Sequence, residues 1–298
     1  PAALRSFGPK LEMAADTPEQ QRRLALAHWI GDPRNPLPAR VLVNRLWQFN
    51  FGQGIIATPS DFGNMGVAPT HPELIDWLAT EFIENGWSIK HIQRLLVLSS
   101  TYRQSSAPNP EFLKIDAGSR LLWRYPPHRQ DAEPIRDAVL AISGNLDLHM
   151  GGRGFELFEP NGNYVKVYNP KKEFGPAEWR RMVYQNKPRM RLDDTFGVFD
   201  CPDAGQVTPR RNASTTPLQA LSLLHSPFAL EQAEIFGKRL QKECGPDLAL
   251  EVQRAFELVF NRVPSTAEGA AAAKVAKDYG INTLCRALFN ANEFIYVF

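Results

Sequence analysis

Helix-start and helix-stop signals recur along this chain more regularly than any other feature, and they leave little room for a sheet-based fold. Thr17-Pro18-Glu19-Gln20 reads as an N-cap with Pro in the first turn and Gln at the third helical position, ahead of Leu24, Ala27, His28 and Ile30. A second helix is expected from Pro38 through Val41, Leu42, Leu46 and Phe49, stopping near Gly52. Thr70-His71-Pro72-Glu73 reads as a capping box opening a helix with Leu74, Trp77, Leu78 and Phe82 on one face and Gly86 at its end. Ser88 and Asp131 stand before two further apolar series, Ile89-Ile92-Leu95-Leu96 and Ile135-Val139-Ile142, the second closed by Gly144. Thr216-Pro217, Ser226-Pro227 and Ser265-x-x-Glu268 start three more. Proline is enriched, 24 of 298 residues, which fits many short elements with punctuated ends. The expectation is a mainly α, multi-helix globular domain of nine or ten helices.

One stretch breaks the pattern. From Met150 to Gln206 the helical period is lost, and Gly151-Gly152-Arg153-Gly154 cannot be regular structure. Phe155-Glu156-Leu157-Phe158 and Tyr164–Tyr168 carry β-formers around the turn signal Pro160-Asn161-Gly162-Asn163, and Arg180–Tyr184 suits a further short strand. The chain is thus expected as an N-terminal helical block (1–149), a small β-rich or irregular insertion (150–206) and a C-terminal helical block (207–298), packed as one domain. No repeat of fixed period is present, so a solenoid is excluded.

Charge and composition remove several function classes. Lys+Arg 34 against Asp+Glu 32 leaves +2, which gives no whole-chain reason to bind nucleic acid or an anionic membrane. The uncharged run Asn212–Leu230 is 19 residues long but contains Pro217 and Pro227, so it reads as two capped helices and not a membrane span. Pro1 opens the chain without an initiator Met or a signal-like apolar run, which suggests a processed product or a piece of something longer. Cys201, Cys244 and Cys285 make no C-x-x-C, so zinc-knuckle, thioredoxin and covalent haem motifs are absent; one disulfide with a spare thiol and three buried thiols fit equally.

The residues that can carry chemistry also have structural readings. His71 beside Glu73 suits a general base, though capping explains Glu73 better; the six histidines show no metal-ligand spacing, and no metal site is expected. Glu133, Arg136 and Asp137 share a helix face, where two carboxylates can divide acid and base roles or close a self-satisfied network around the arginine. Arg129 belongs to the same charged segment. Arg210 and Arg211 precede a helix N-terminus, which suits an anionic ligand, or pairing with Asp131, Glu133 or Asp137. Between Lys166 and Arg191 eight basic residues face two acidic ones, with Tyr164, Tyr168, Trp179 and Tyr184 interleaved; such a surface tracks a polyanion or stacks sugars, Trp179 foremost, unless it is simply a solvated basic face. The glycines at 151–154 lack the Lys-Ser/Thr of a phosphate loop, and no G-x-S-x-G exists.

Longer blocks carry a family resemblance. Asp32-Pro33-x-Asn35-Pro36, Arg40-Val41-x-Val43-Asn44-Arg45-Leu46-Trp47-Gln48, Gly52-x-Gly54-Ile55-Ile56-x-Thr58-Pro59-x-Asp61-Phe62-Gly63, Ser99-x-Thr101-Tyr102-Arg103-Gln104, Pro209-Arg210-Arg211-Asn212 and Asn290-x-Asn292-Glu293-Phe294 span nearly the whole chain. Together they resemble a planctomycete-type C-terminal domain of unknown function, found in large exported proteins whose N-terminal regions are cytochrome-c-like. The resemblance implies an exported or cell-envelope setting, other domains of the parent protein as partners, polysaccharide as a further one, and haem c only in a separate region. It supplies no catalytic residue. Two functions follow as expectations: a binding or scaffold module for a glycan or for the parent's redox region, or an enzyme on an extracellular glycan using His71, Glu133 or Asp137, with Arg210, Arg211, Arg129 and Trp179 binding the ligand.

Overall fold

The computed structural model describes residues 8–159, 162, 167–189, 191, 193 and 195–298. Among them are twelve α-helices, two 3-10 turns and two strands of two residues each, His128–Arg129 and Tyr296–Val297. The mainly α expectation is met. No described helix is long and apolar enough to cross a membrane. The chain divides into two compact units, 1–128 with 298, and 129–297.

In the first unit, α1 (Glu19–Ile30), α2 (Pro36–Phe51), α3 (Pro72–Glu84), α4 (Ile89–Leu98) and α5 (Pro110–Ile115) follow in order. Val43, Trp47 and Phe51 of α2 bury against Ile75, Leu78 and Phe82 of α3 and Ile92 and Leu96 of α4. Asn44, of the block Arg40–Gln48, is fully buried. Its side chain donates to the Ile56 carbonyl (3.0 Å) and accepts from the Ile56 N–H (2.8 Å), as a paired strand would. Gly54 leaves the room for this, because a Cβ there would stand 2.7 Å from both the Asn44 amide and the Ile56 carbonyl.

The caps are not all where the sequence placed them. Asn35 caps α2 from before Pro36, two residues ahead of the expected start. Thr17 spends its hydroxyl on the Ala14 carbonyl, so Pro18 is the cap position of α1 and no side chain caps it. The box at Thr70 does not form. Thr70 is drawn back to Ile55 by its backbone N–H (3.0 Å), His71 becomes the cap position, and Glu73 stands exposed in the first turn. The buried face of α3 is accordingly Ile75, Leu78, Ala79 and Phe82, and Trp77 is exposed. Ser88 caps α4 as expected.

The second unit holds α6 (Ala132–Ser143), α7 (Pro217–His225), α8 (Pro227–Cys244), α9 (Leu248–Phe260), α10 (Thr266–Tyr279), α11 (Ile281–Phe289) and α12 (Asn292–Ile295). Helix α8 is its axis: Phe236 and Leu240 are fully buried among Ile135 and Leu140 of α6 and Cys285 and Phe289 of α11. Gly237 lets α11 approach, since a Cβ there would meet the Asn282 side chain at 2.1 Å. Thr216 and Ser265 form complete capping boxes with Gln219 and Glu268, and Ser226 accepts from the Ala229 N–H. At α10 the Glu268 carboxylate also binds Arg262 with both oxygens (2.7 and 3.0 Å). Ser265→Ala is expected to cost about 1 kcal/mol in urea unfolding, and a change below a few tenths would mean that Arg262 alone fixes this helix end.

Between α6 and α7 the chain is irregular. The expected strand pairing is reduced to isolated bridges, Phe155 with Gln185, Phe158 with Pro170 and Asp147 with Arg180, and Met182–Tyr184 is a 3-10 turn and not a strand. Phe155, Leu157 and Phe158 form a small satellite core with Phe174 and Tyr184, enough to hold the segment without a ladder. Most of the stretch Tyr164–Tyr168 lies outside the described residues. Cys201, Cys244 and Cys285 are all free thiols.

Candidate functional site

Two features of the second unit meet along α6. The first is ionic. Glu133, in the first turn, receives Arg211 Nη1 (2.5 Å) and Nη2 (3.1 Å) and Lys187 Nζ (3.0 Å). Asp131 adds a second contact to Arg211 at 3.3 Å, which takes its carboxylate out of helix capping. Cys201 completes the group, with its Sγ 2.9 Å from Lys187 Nζ and 3.7 Å from Glu133. Burial raises the Glu133 pKa, but hydrogen bonds from Arg211 and Lys187 outweigh it and hold the carboxyl at about 2. Burial also pushes the Cys201 thiol up, against the lowering effect of Lys187.

The second feature is a cavity of about 300 Å³, lined by Leu157, Phe174, Phe196 and Phe228 with Arg136 and Asp193 among them and Lys171 and Lys172 also on its wall. Arg136 is fully buried and does not join Glu133. Its guanidinium donates to the carbonyls of Arg180 (2.9 Å) and Glu178 and lies over the rings of Phe155 (4.8 Å) and Phe228 (5.4 Å). Burial lowers its pKa to about 10. Asp193 accepts from the N–H groups of Thr195 and Phe196, yet burial raises its pKa above the ordinary value.

Asp137 accepts the Met182 N–H (2.7 Å) and a longer bond from Arg181 (3.5 Å), so it fastens the 3-10 turn to α6. Arg129 is buried, pairs with Asp200 (2.7 Å) and covers Phe199; Asp200 in turn accepts from Ser214. Arg210 is exposed, with no ion pair among the described residues. Trp179 is half-buried and packs on the helical core with its ring N–H buried and unpaired. His71 belongs to the first unit, where its Nδ1 meets the Thr70 hydroxyl (2.9 Å) and its pocket, about 40 Å³, has room for little beyond water.

The structure therefore joins Glu133, Arg211 and Asp131, as the pairing alternative required, and joins none of these to His71 within one unit. Lys187 was legible only as one of the basic residues between 166 and 191, Cys201 only as one of three cysteines without a C-x-x-C, and Asp193 only as one of four aspartates without calcium-loop spacing; nothing in the sequence marked Phe228. A basic residue at position 136 between Ile135 and Val139 was the one available signal, because such a charge on an apolar stripe must be satisfied inside. Among the described residues no group of His, Cys, Asp and Glu is arranged to hold a metal ion. The arrangement provides an apolar cavity with a buried cation, beside an ion-pair cluster that fixes its surrounding loops.

No curated protein and no solved structure matches this chain. A family model does match, over residues 22–276, and the chain belongs to that family: PSD1, proteins of unknown function (DUF1553).

Proposed function

We propose that this chain is a non-catalytic binding module of an exported, envelope-associated protein, and that it holds polypeptide, namely the haem-bearing region of its parent. The observation that carries this reading is the state of Glu133: both oxygens are taken by Arg211 and Lys187. A general acid needs a proton near neutral pH and a general base needs an oxygen free to take one; a carboxylate held at about 2 offers neither. Asp137 accepts the Met182 N–H at one oxygen and thereby holds the 3-10 turn.

A polypeptide partner is favoured over a glycan by the cavity lining. Phenylalanine rings and Leu157 suit an apolar anchor side chain, and Arg136 spends two of its five N–H groups on backbone carbonyls inside the fold. Helix α1 adds a second apolar contact surface. None of its twelve residues is buried, and Leu26 and Ile30, one turn apart, are 45% and 47% exposed. A helix of that length is marginal alone in water, so a partner that covers it is physically sensible.

The test is calorimetric titration of this chain with the separately expressed haem-bearing region, and with neutral and sulfated oligosaccharides. Saturable binding to the haem-bearing region is expected, weakened about tenfold or more by Leu26→Asp combined with Ile30→Asp. An oligosaccharide that binds and is turned over, with turnover lost in Glu133→Gln, would establish the enzymatic alternative instead.

A further inference from the structure

Lys187 and Cys201 stand closer than their charge chemistry requires. The 2.9 Å between Nζ and Sγ is an ordinary donor–acceptor distance for oxygen. Sulfur is the larger atom, and an unstrained N–H···S contact is longer. The thiol is 5% exposed and free of any disulfide, so no second cysteine competes for it. The Lys187 side chain is 27% exposed and therefore open to small oxidants from one side. Glu133 bridges the two groups, 3.0 Å from the nitrogen and 3.7 Å from the sulfur, and holds the amine on the thiol.

We propose that Lys187 and Cys201 form a covalent modification site, an oxygen-bridged S–O–N cross-link made with dioxygen as the oxidant. The thiol S–H bond and an amine N–H bond break, and one oxygen atom is inserted between sulfur and nitrogen. The other oxygen leaves as water with the two hydrogens released. Sulfur and nitrogen each give up two electrons and dioxygen takes all four; the extra proton of the ammonium goes to solvent. The product differs from the starting side chains by one oxygen gained and two hydrogens lost.

The cross-link has a structural consequence. It closes the segment from Lys187 to Cys201, and that segment supplies Asp193, Thr195 and Phe196 to the cavity wall. Tying its ends removes freedom from one wall of the cavity, so oxidation prearranges the pocket and reduction loosens it. This inference stands on the Lys187–Cys201 geometry and is independent of which partner the module holds.

Peptide mass spectrometry on the intact chain, exposed to air or kept anaerobic with dithiothreitol, tests it directly. The air-exposed sample is expected to give a peptide joining Lys187 to Cys201 with the mass change stated above. That species is expected to be lost on reduction and in both Cys201→Ser and Lys187→Arg. Lys187→Arg retains the positive charge beside Glu133, so its folded state, checked by circular dichroism, separates loss of the bridge from loss of fold. Recovery of Cys201 only as a free thiol or as sulfinic or sulfonic acid, with Lys187 unmodified, overturns the proposal. So does a bridged peptide that persists in Lys187→Arg.

Discussion

Replacing Arg136 by methionine is expected to lower the unfolding free energy by about 2 kcal/mol, and by alanine by about 4 kcal/mol. Two opposing effects decide the sign. Removing a fully buried guanidinium recovers its desolvation cost, which is real here because burial brings its pKa down to about 10 against the raising effect of Asp137, Asp193 and Glu178. Against this, the groups that Arg136 satisfies are the backbone carbonyls of Arg180 and Glu178, which no substitution removes. Each buried acceptor left without a donor costs roughly 1–3 kcal/mol, and the stacking on Phe155 and Phe228 is lost as well. Its contact with Asp137, at 3.9 Å, is too long to supply the pairing that would make the charge self-sufficient. Alanine adds the loss of the long side chain next to an existing cavity. Urea titration at constant m-value gives the numbers. A neutral or stabilising Arg136→Met would show that the charge is kept for what enters the cavity and not for the fold.

What could be read from the sequence follows the range over which each interaction is decided. The cap signatures at Thr216 and Ser265 close within four residues, and both form, Thr216 as a box with Gln219 and Ser265 with Glu268. Thr70 carries the same local signature, but its backbone N–H is claimed by Ile55, fifteen residues away, and the helix starts one residue late. Trp77 matched the apolar period of α3 and is nonetheless exposed, because the helix is rotated to bury Ile75 and Ala79. At the site, Glu133 with Arg211 was legible as a complementary pair whose partners lie on opposite sides of the irregular segment. Lys187, Cys201 and Asp193 were not, since they sit where no period places a side chain and only the folded loop brings them to α6. Composition offered no signal for the cavity either: its phenylalanines are spread over positions 174, 196 and 228, with nothing in their spacing to mark a common wall.

Acidification is expected to remove about 2 kcal/mol of stability between pH 5 and pH 2 through Glu133 alone. Its carboxyl titrates at about 2 in the folded chain against an ordinary 4.5, so the unfolded state takes up the proton first on the way down. Stability from this group is complete above 4.5 and falls as pH drops toward the folded value. The full shift corresponds to roughly 3 kcal/mol, and solvent access to a side chain that is 21% exposed reduces it. Asp193 acts in the opposite sense. Its folded pKa is raised, so its protonation favours the folded state as pH falls toward 3.8, and the raw pH profile sums both. Glu133→Gln isolates the first effect. Glutamine keeps the shape and one acceptor oxygen but loses the charge, so that among the described residues Arg211 retains only the 3.3 Å ion pair with Asp131 and Lys187 retains none. The variant is expected to lose about 2 kcal/mol at pH 7, with the wild-type-minus-variant difference shrinking to near zero by pH 2. A difference that stays constant from pH 7 to pH 2 would mean that Glu133 stabilises by packing, and that its ion pairs with Arg211 and Lys187 do not hold the loops to α6.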